Sequence, residues 1–265
     1  MKLIQSRENA FFKELLKLAG APRHRSKAGQ TLLDGAHLLA AYLDAGLQPC
    51  HVLLNTTALQ DSEATELLAR ITGVPVTQLD DKLFAELTEL KTPTGILAVI
   101  SLPETNEQVS NSGFVLLLED IQDPGNLGSM LRSAAAAGCD AVYLSPACAD
   151  AWSPKVLRAA MGGHFCLNIH EQQNLRQVAE SFDGIRLAAS LQAKASLYEC
   201  NLAGQVAFMI GNEGSGLSAG LLACATHPIT IPMPGKVESL NAAAATAICL
   251  FEAVRQRLPS SSIVD

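Results

Sequence analysis

The chain reads as two α/β units in tandem, the second built on a parallel, doubly wound sheet. Three observations carry this reading. Beyond residue 113, short apolar strands alternate with helical segments. The strands at 114–118, 141–144 and 206–210 are continuous apolar runs, as expected when helices cover both faces of a sheet. Between the halves, residues 101–113 are polar, contain Pro103 and Gly113, and lack apolar periodicity, which is the composition of a linker. The expected plan is a small unit over 1–100, a linker over 101–112 and a second unit over 113–265.

In the first unit, residues 1–18 are expected to form an amphipathic helix, capped by Ser6 or Asn9, with Phe12, Leu15 and Leu16 on its apolar stripe. Residues 21–29 (Ala-Pro-Arg-His-Arg-Ser-Lys-Ala-Gly) have loop composition. A short strand at Thr31 runs into a helix by His37. Strands are expected at 51–54 and 74–76 with a helix over 64–71 between them, and Thr92-Pro93 leads into a last strand at 95–100. In the second unit the apolar runs place strands at 114–118, 141–144, 165–169, 185–189, 206–210 and 229–231. Asn126 is expected to cap a helix over 126–137, Ser153 to cap one that starts at Pro154, and a long helix at about 240–258 closes the chain.

Composition excludes several classes. Of the 265 residues, 48% are hydrophobic and 17% charged, which is incompatible with disorder. No apolar run approaches the ~20 residues of a membrane span, and charge at Lys2, Arg7 and Glu8 comes too early for a signal peptide, so a cytoplasmic protein is expected. Seven cysteines, at 50, 139, 148, 166, 200, 224 and 249, are odd in number and unclustered. They fit buried free thiols better than a zinc site or disulfide framework. The net charge of −7 argues against a nucleic-acid partner until it is divided along the chain. Residues 1–27 hold seven basic side chains against two acidic, a local +5, so the rest carries −12. Arg7, Lys13, Arg23, Arg25 and Lys27 fall in this basic stretch and are the candidate contacts to phosphates.

Three segments carry the chemistry. The first, Glu119-Asp120-Ile121-Gln122-Asp123-Pro124-Gly125-Asn126-Leu127-Gly128-Ser129-Met130-Leu131-Arg132, leaves a strand, turns and enters a helix. Asn126 and Arg132 are offset by about 120° on that helix and can border one cleft. The second, Gly211-Asn212-Glu213-Gly214-Ser215-Gly216, ends a buried strand in three glycines around one carboxylate. It matches neither a dinucleotide fingerprint nor a P-loop, and reads as a loop that lets a ligand approach the backbone. The third, Ile231-Pro232-Met233-Pro234-Gly235-Lys236-Val237-Glu238-Ser239-Leu240-Asn241, runs from a strand to a helix rich in alanine, with Ser239 as a candidate cap.

Together these segments resemble the SpoU/TrmH family of RNA ribose 2′-O-methyltransferases, within the SPOUT superfamily. The shared pattern is D-P-x-N-x-G-x-x-x-R, then G-x-E-G-x-G, then I-P-M-x-G-x-x-x-S-L-N, over about residues 113–258. The first half is more weakly similar to the family's ribosomal-protein-like RNA-binding domain, through Ser6-Arg7, Asn9, Lys13, Asp34-Gly35 and residues 92–99. One departure is Ala243, where many relatives carry a hydroxyl residue.

The resemblance implies an α/β sheet tied in a deep trefoil knot, S-adenosylmethionine as cofactor in a bent form, no metal, and a homodimer acting on RNA. It implies that Gly211, Glu213, Gly216, Ile231, Met233 and Leu240 hold the cofactor. It places Asn126, Arg132, Glu213, Ser239 and Asn241 at the methyl-transfer site, with Asn126 positioning Arg132 or the ribose. Arg132 is the candidate base for the ribose hydroxyl or, in a role easier to reconcile with a permanently cationic group, a clamp on the neighbouring phosphate. Ribosomal RNA is the expected substrate. The alternatives are a tRNA methyltransferase, an RNA-binding assembly factor without catalysis, and a nucleotide-dependent enzyme using the glycine loop.

Overall fold

The structure, a computed structural model, describes residues 1–90, 92–103 and 111–259. Most of the expected linker, residues 104–110, lies outside them. Along the chain the elements are β1 (Lys2–Ile4), α1 (Ala10–Gly20), α2 (Pro22–Ala28), β2 (Gln30–Asp34), α3 (Ala36–Asp44), β3 (His51–Leu54), α4 (Ser62–Ala69), β4 (Val76–Leu79), α5 (Asp81–Leu87) and β5 (Ile96–Ser101). They continue with β6 (Phe114–Leu118), α6 (Pro124–Ala137), β7 (Ala141–Leu144), α7 (Pro154–Ala160), β8 (Asn168–His170), α8 (Leu175–Ser181), β9 (Ile185–Ala189), β10 (Ala195–Ser196), β11 (Val206–Ile210), α9 (Ala219–Leu222), β12 (His227–Thr230) and α10 (Ala242–Arg257). Packing divides the chain into two compact units: Met1–Glu104 with Asp150–Phe165, and Thr105–Ala149 with Cys166–Asp265.

The first unit is a mixed sheet of five described strands in the order β1-β4-β3-β5-β2. Phe12, Leu15 and Leu18 of α1 and Leu83, Phe84 and Leu87 of α5 pack with Leu32, Leu53, Leu79 and Leu97 into its core. The helix expected over 1–18 begins later. Residues 2–4 pair in parallel with β4, Lys2 opposite Thr77, and Asn9 caps α1 by accepting from the Phe11 and Phe12 amides. Residues 21–29 are helical rather than a loop. Pro22 sits at the first helical position and Gly29 (φ 62°) closes α2 in the left-handed region, the two ends at which these residues favour a helix.

The segment 150–165 is fixed within this unit by two ion pairs. The Arg25 guanidinium pairs with Asp150 and donates to the Leu18 and Ala19 carbonyls. Arg158 pairs with the buried Asp34, both of whose carboxylate oxygens accept from Thr88 Oγ1. Burial raises the Asp34 carboxyl, against the opposing pull of Thr88 and Arg158. Thr31 Oγ1 donates to the Trp152 carbonyl at 2.7 Å.

The second unit is a sheet of seven described strands, all parallel, in the order β10-β12-β9-β11-β6-β7-β8. The doubly wound arrangement expected from continuous apolar strands is the one observed: β6 and β11 are buried at every position. Alternate residues of these strands, Val115, Leu117, Ala207 and Met209, pack under α8 and α9 with Leu175, Val178 and Leu221. The strand expected at 165–169 begins three residues later, because residues 163–166 form a 3₁₀ turn first. Free thiols hold for all seven cysteines, but only Cys139 and Cys249 are fully buried; Cys166 is exposed and the others are half-buried. Burial pushes the Cys139 and Cys249 thiols up to about 12.

Candidate functional site

Parallel strands all release their loops at one edge, and ligands bind in the crevice there. In the second unit the loops after β9, β11 and β12 line a cavity of about 410 Å³, with walls including Ser190, Gln192, Gly211–Leu217, Ile231, Met233, Ser239 and Leu240. The six positions singled out for cofactor contact, Gly211, Glu213, Gly216, Ile231, Met233 and Leu240, all lie on this wall. Glu213 is the one ionisable side chain among the described lining residues.

The glycine loop closes on itself. Asn212 and Gly216 form an isolated bridge, and the Gly216 amide donates to the Asn212 carbonyl at 2.9 Å. A Cβ on Gly211 would meet the Gly216 carbonyl carbon at 2.2 Å, so glycine is required there by backbone contact within the loop itself. Gly216 takes φ 68°.

Three hydrogen bonds fix this loop to the segment after β6. The Ser218 amide and hydroxyl donate to the two carboxylate oxygens of Glu119, at 2.6 and 2.8 Å. Asn212 Nδ2 donates to the Asp120 carbonyl at 2.9 Å. Asp120, itself at φ 57°, accepts from Ser145 Oγ at 2.6 Å. The motif pattern does not single out Glu119, Asn212 or Ser218; the signal available was a carboxylate directly after a buried strand and a serine two residues after the glycine loop.

Helix starts differ from expectation in two places. Asp123, not Asn126, caps α6: its Oδ1 accepts from the Asn126 amide, and Pro124 takes the first helical position. Asn241, not Ser239, caps α10, accepting from the Ala243 and Ala244 amides. Both changes serve one network. Asn126 is freed to turn its amide outward, donating to Glu213 Oε1 at 2.5 Å and accepting from Asn241 Nδ2 at 3.0 Å. Asn241, Asn126 and Glu213 therefore form one directional chain that joins all three motifs. Ser239 lies on the cavity wall beside it.

Arg132 stands apart from this chain. It is exposed, makes no hydrogen bond or ion pair with the described residues, and is not among the lining residues. Asn126 makes no hydrogen bond to it; the two are separated by about 9 Å of helix rise and about 120° of rotation. Of the basic residues in the first unit, Arg7 pairs with Glu86 at 2.9 Å and Lys13 with Glu8. Arg23 and Lys27, four apart on α2, are exposed and have no ion pair with described residues. Arg25 is withdrawn as a phosphate contact: it is 3% exposed and its guanidinium is consumed by Asp150 and two carbonyls. Among the described residues no group of three or more His, Cys, Asp or Glu is placed to hold a metal ion.

Comparison with known proteins adds the lineage. Residues 113–251 match the SpoU rRNA Methylase family, and residues 9–98 match the MRM3-like substrate binding domain. The chain is 34% identical to the 23S rRNA (guanosine(2553)-2′-O)-methyltransferase RlmP of Bacillus subtilis, over 95% of this chain and 98% of that protein. Its fold superposes with TM-score 0.84 on the SpoU methyltransferase AviRb of Streptomyces viridochromogenes, solved with AdoMet, at 27% identity, covering 94% of this chain and 98% of that one. A structure described as an RNA 2′-O ribose methyltransferase matches with TM-score 0.82 and 30% identity, covering 96% of this chain and 99% of that one. This chain belongs to the SpoU rRNA methylase family.

Proposed function

We propose that this protein transfers a methyl group from S-adenosylmethionine to a ribose 2′-hydroxyl of ribosomal RNA. The observation that carries the reading is a cavity walled by the second and third motifs, with Asn126 of the first motif hydrogen-bonded to Glu213 on its wall and to Asn241. The cavity fits such a cofactor. Its volume of about 410 Å³ is that of a small-molecule pocket. Its wall mixes apolar side chains with polar groups and three glycines, and its one ionisable group among described residues is an anion, which suits a cationic sulfonium.

Gly211, Gly216, Ile231, Met233 and Leu240 would hold the cofactor, largely through backbone, with Glu213 beside them. The bound cofactor supplies a methyl group already activated on sulfur. The protein's task is then to seat the ribose hydroxyl in line with that methyl and to keep water out. Asn126, held from both sides, and Ser239 on the wall would orient the ribose. Arg132, exposed on α6 with no ion pair among the described residues, would clamp a flanking phosphate.

The unit spanning residues 1–104, with Arg23 and Lys27 uncompensated on α2, would deliver the RNA. We further infer the trefoil knot, a homodimer and a cytoplasmic location for this chain; family membership supports them, and no helix among the described residues is long and apolar enough to cross a membrane. The test is incubation with methyl-labelled cofactor and a 23S rRNA transcript, followed by digestion to nucleosides. Label in a 2′-O-methylnucleoside is the expected result; label in a base, or in tRNA alone, would overturn the reading.

A further inference from the structure

Methyl transfer to a hydroxyl requires a group that takes the proton as the oxygen attacks. The family pattern directs attention to Arg132, but a guanidinium has five donors and no acceptor. A proton acceptor has to be a group with a free lone pair facing the cavity, and the carboxylates near the site can be taken in turn. Glu119 spends both oxygens on Ser218. Asp120 accepts from Ser145, and Asp123 caps α6. None of these three lines the cavity.

Glu213 differs in its place. It lines the cavity, and only its Oε1 is engaged, by Asn126 Nδ2. Oε2 has no partner among the described residues. The orientation is enforced from behind: the Asn241 Oδ1 is committed to the α10 amides, so its Nδ2 must face Asn126 Oδ1. Asn126 must then present Nδ2 to Glu213, and one oxygen of Glu213 is fixed while the other stays open. Such an array holds one oxygen of the carboxylate in place and leaves the other open.

We propose, resting on the functional reading above, that Glu213 Oε2 is the proton acceptor for the ribose hydroxyl, with Asn126 and Asn241 as its positioning residues. In the step, the ribose oxygen forms its bond to the methyl carbon while the carbon–sulfur bond breaks and its electron pair stays on sulfur. The hydroxyl proton passes to Glu213 Oε2 and later to solvent. Arg132 keeps a binding role.

The test uses the full-length protein with S-adenosylmethionine and a 23S rRNA transcript. Glu213→Gln keeps an oxygen for Asn126 and removes the base. It should lower kcat at saturating cofactor at least about a hundredfold, the lower range for a general base, well beyond any weakening of cofactor Kd that calorimetry shows for the lost charge. Glu213→Ala should regain at least about tenfold when formate is added, because a small carboxylate can re-enter the vacated space. Arg132→Lys should raise KM for RNA more than it lowers kcat. A Glu213→Gln variant within tenfold of the unaltered protein would overturn the assignment. So would a loss of cofactor binding in step with kcat, which would make Glu213 a cofactor anchor. Failure of the unaltered protein to form any 2′-O-methylnucleoside would instead overturn the functional reading, and this assignment with it.

Discussion

Asn241 uses its two side-chain atoms for two purposes: Oδ1 caps α10, and Nδ2 donates to Asn126 Oδ1 at 3.0 Å. Fold stability and site orientation thus meet in one amide, and substitution can separate them. Asn241→Ala removes both, costing about 1 kcal/mol for the cap and lowering Tm by about 2–4 °C. Asn241→Asp keeps the cap but sets an oxygen against Asn126 Oδ1. It is expected to melt within about 1 °C of the unaltered protein and still lose most methyl transfer. Calorimetric melting beside a transfer assay separates the two outcomes; full activity in the aspartate variant would show that the Asn126 orientation is unimportant.

The clasp between Glu119 and Ser218 predicts an effect on cofactor binding. Both carboxylate oxygens are engaged, and no other charged group holds the glycine loop from this side among the described residues. Charge-assisted hydrogen bonds contribute about 1.5–3 kcal/mol each. Glu119→Ala should weaken cofactor Kd by about tenfold or more, with a smaller change in kcat at saturation. Calorimetric titration gives the answer directly, and an unchanged Kd would remove the clasp from the account.

Basic residues in the first unit should divide by burial. Arg25→Ala leaves Asp150, 20% exposed, without its partner, and is expected to destabilise by about 3 kcal/mol or more, as removal of one member of a buried pair does. Arg23→Ala and Lys27→Ala should leave stability within about 0.5 kcal/mol. They should weaken RNA binding and reduce its log–log salt slope by about 1 for each phosphate no longer neutralised. Urea melts and filter binding at several salt concentrations test this; unaltered binding in the double variant would move the RNA surface elsewhere.

His164 predicts acid sensitivity. Its ring is buried against Trp152, one nitrogen facing the Ala151 carbonyl at 2.7 Å and Nδ1 without a hydrogen-bond partner among the described residues. Burial lowers its pKa from 6.5 to about 4. The unfolded chain therefore binds the proton more readily, and stability is present in full above about pH 6.5 and falls as pH drops toward 4. The loss by pH 5 is about 2 kcal/mol. Urea midpoints at pH 7.5 and pH 5 should show this difference, and His164→Phe should remove most of it. An equal pH dependence in that variant would assign the effect to other groups, His51 among them, whose pKa burial also lowers.

The parallel sheet was legible because its central strands β6, β7 and β11 are continuous apolar runs whose pattern is set locally. The cavity wall was legible because the motifs sit directly after strand ends. What escaped depends on distant partners. β1 exists through pairing with Thr77–Leu79, some seventy residues away, and Arg25 is buried by Asp150, 125 residues away. The two-residue β10 is too short to leave a pattern. The cap of α6 is a different case: Pro124 already marked Asp123 as the residue before the first turn, and Asn126 competed only because it is also a good capping residue.

The membership of residues 150–165 in the first unit has a consequence during synthesis. A ribosome that has finished residue 104 must add about sixty more before Phe165 exists. At about 5–20 residues per second this takes roughly 3–12 s. Through that interval the nascent first unit holds the Arg25 guanidinium without Asp150 and Asp34 without Arg158. Its completion therefore waits on chain that lies beyond the start of the second unit, and the two halves cannot mature strictly one after the other.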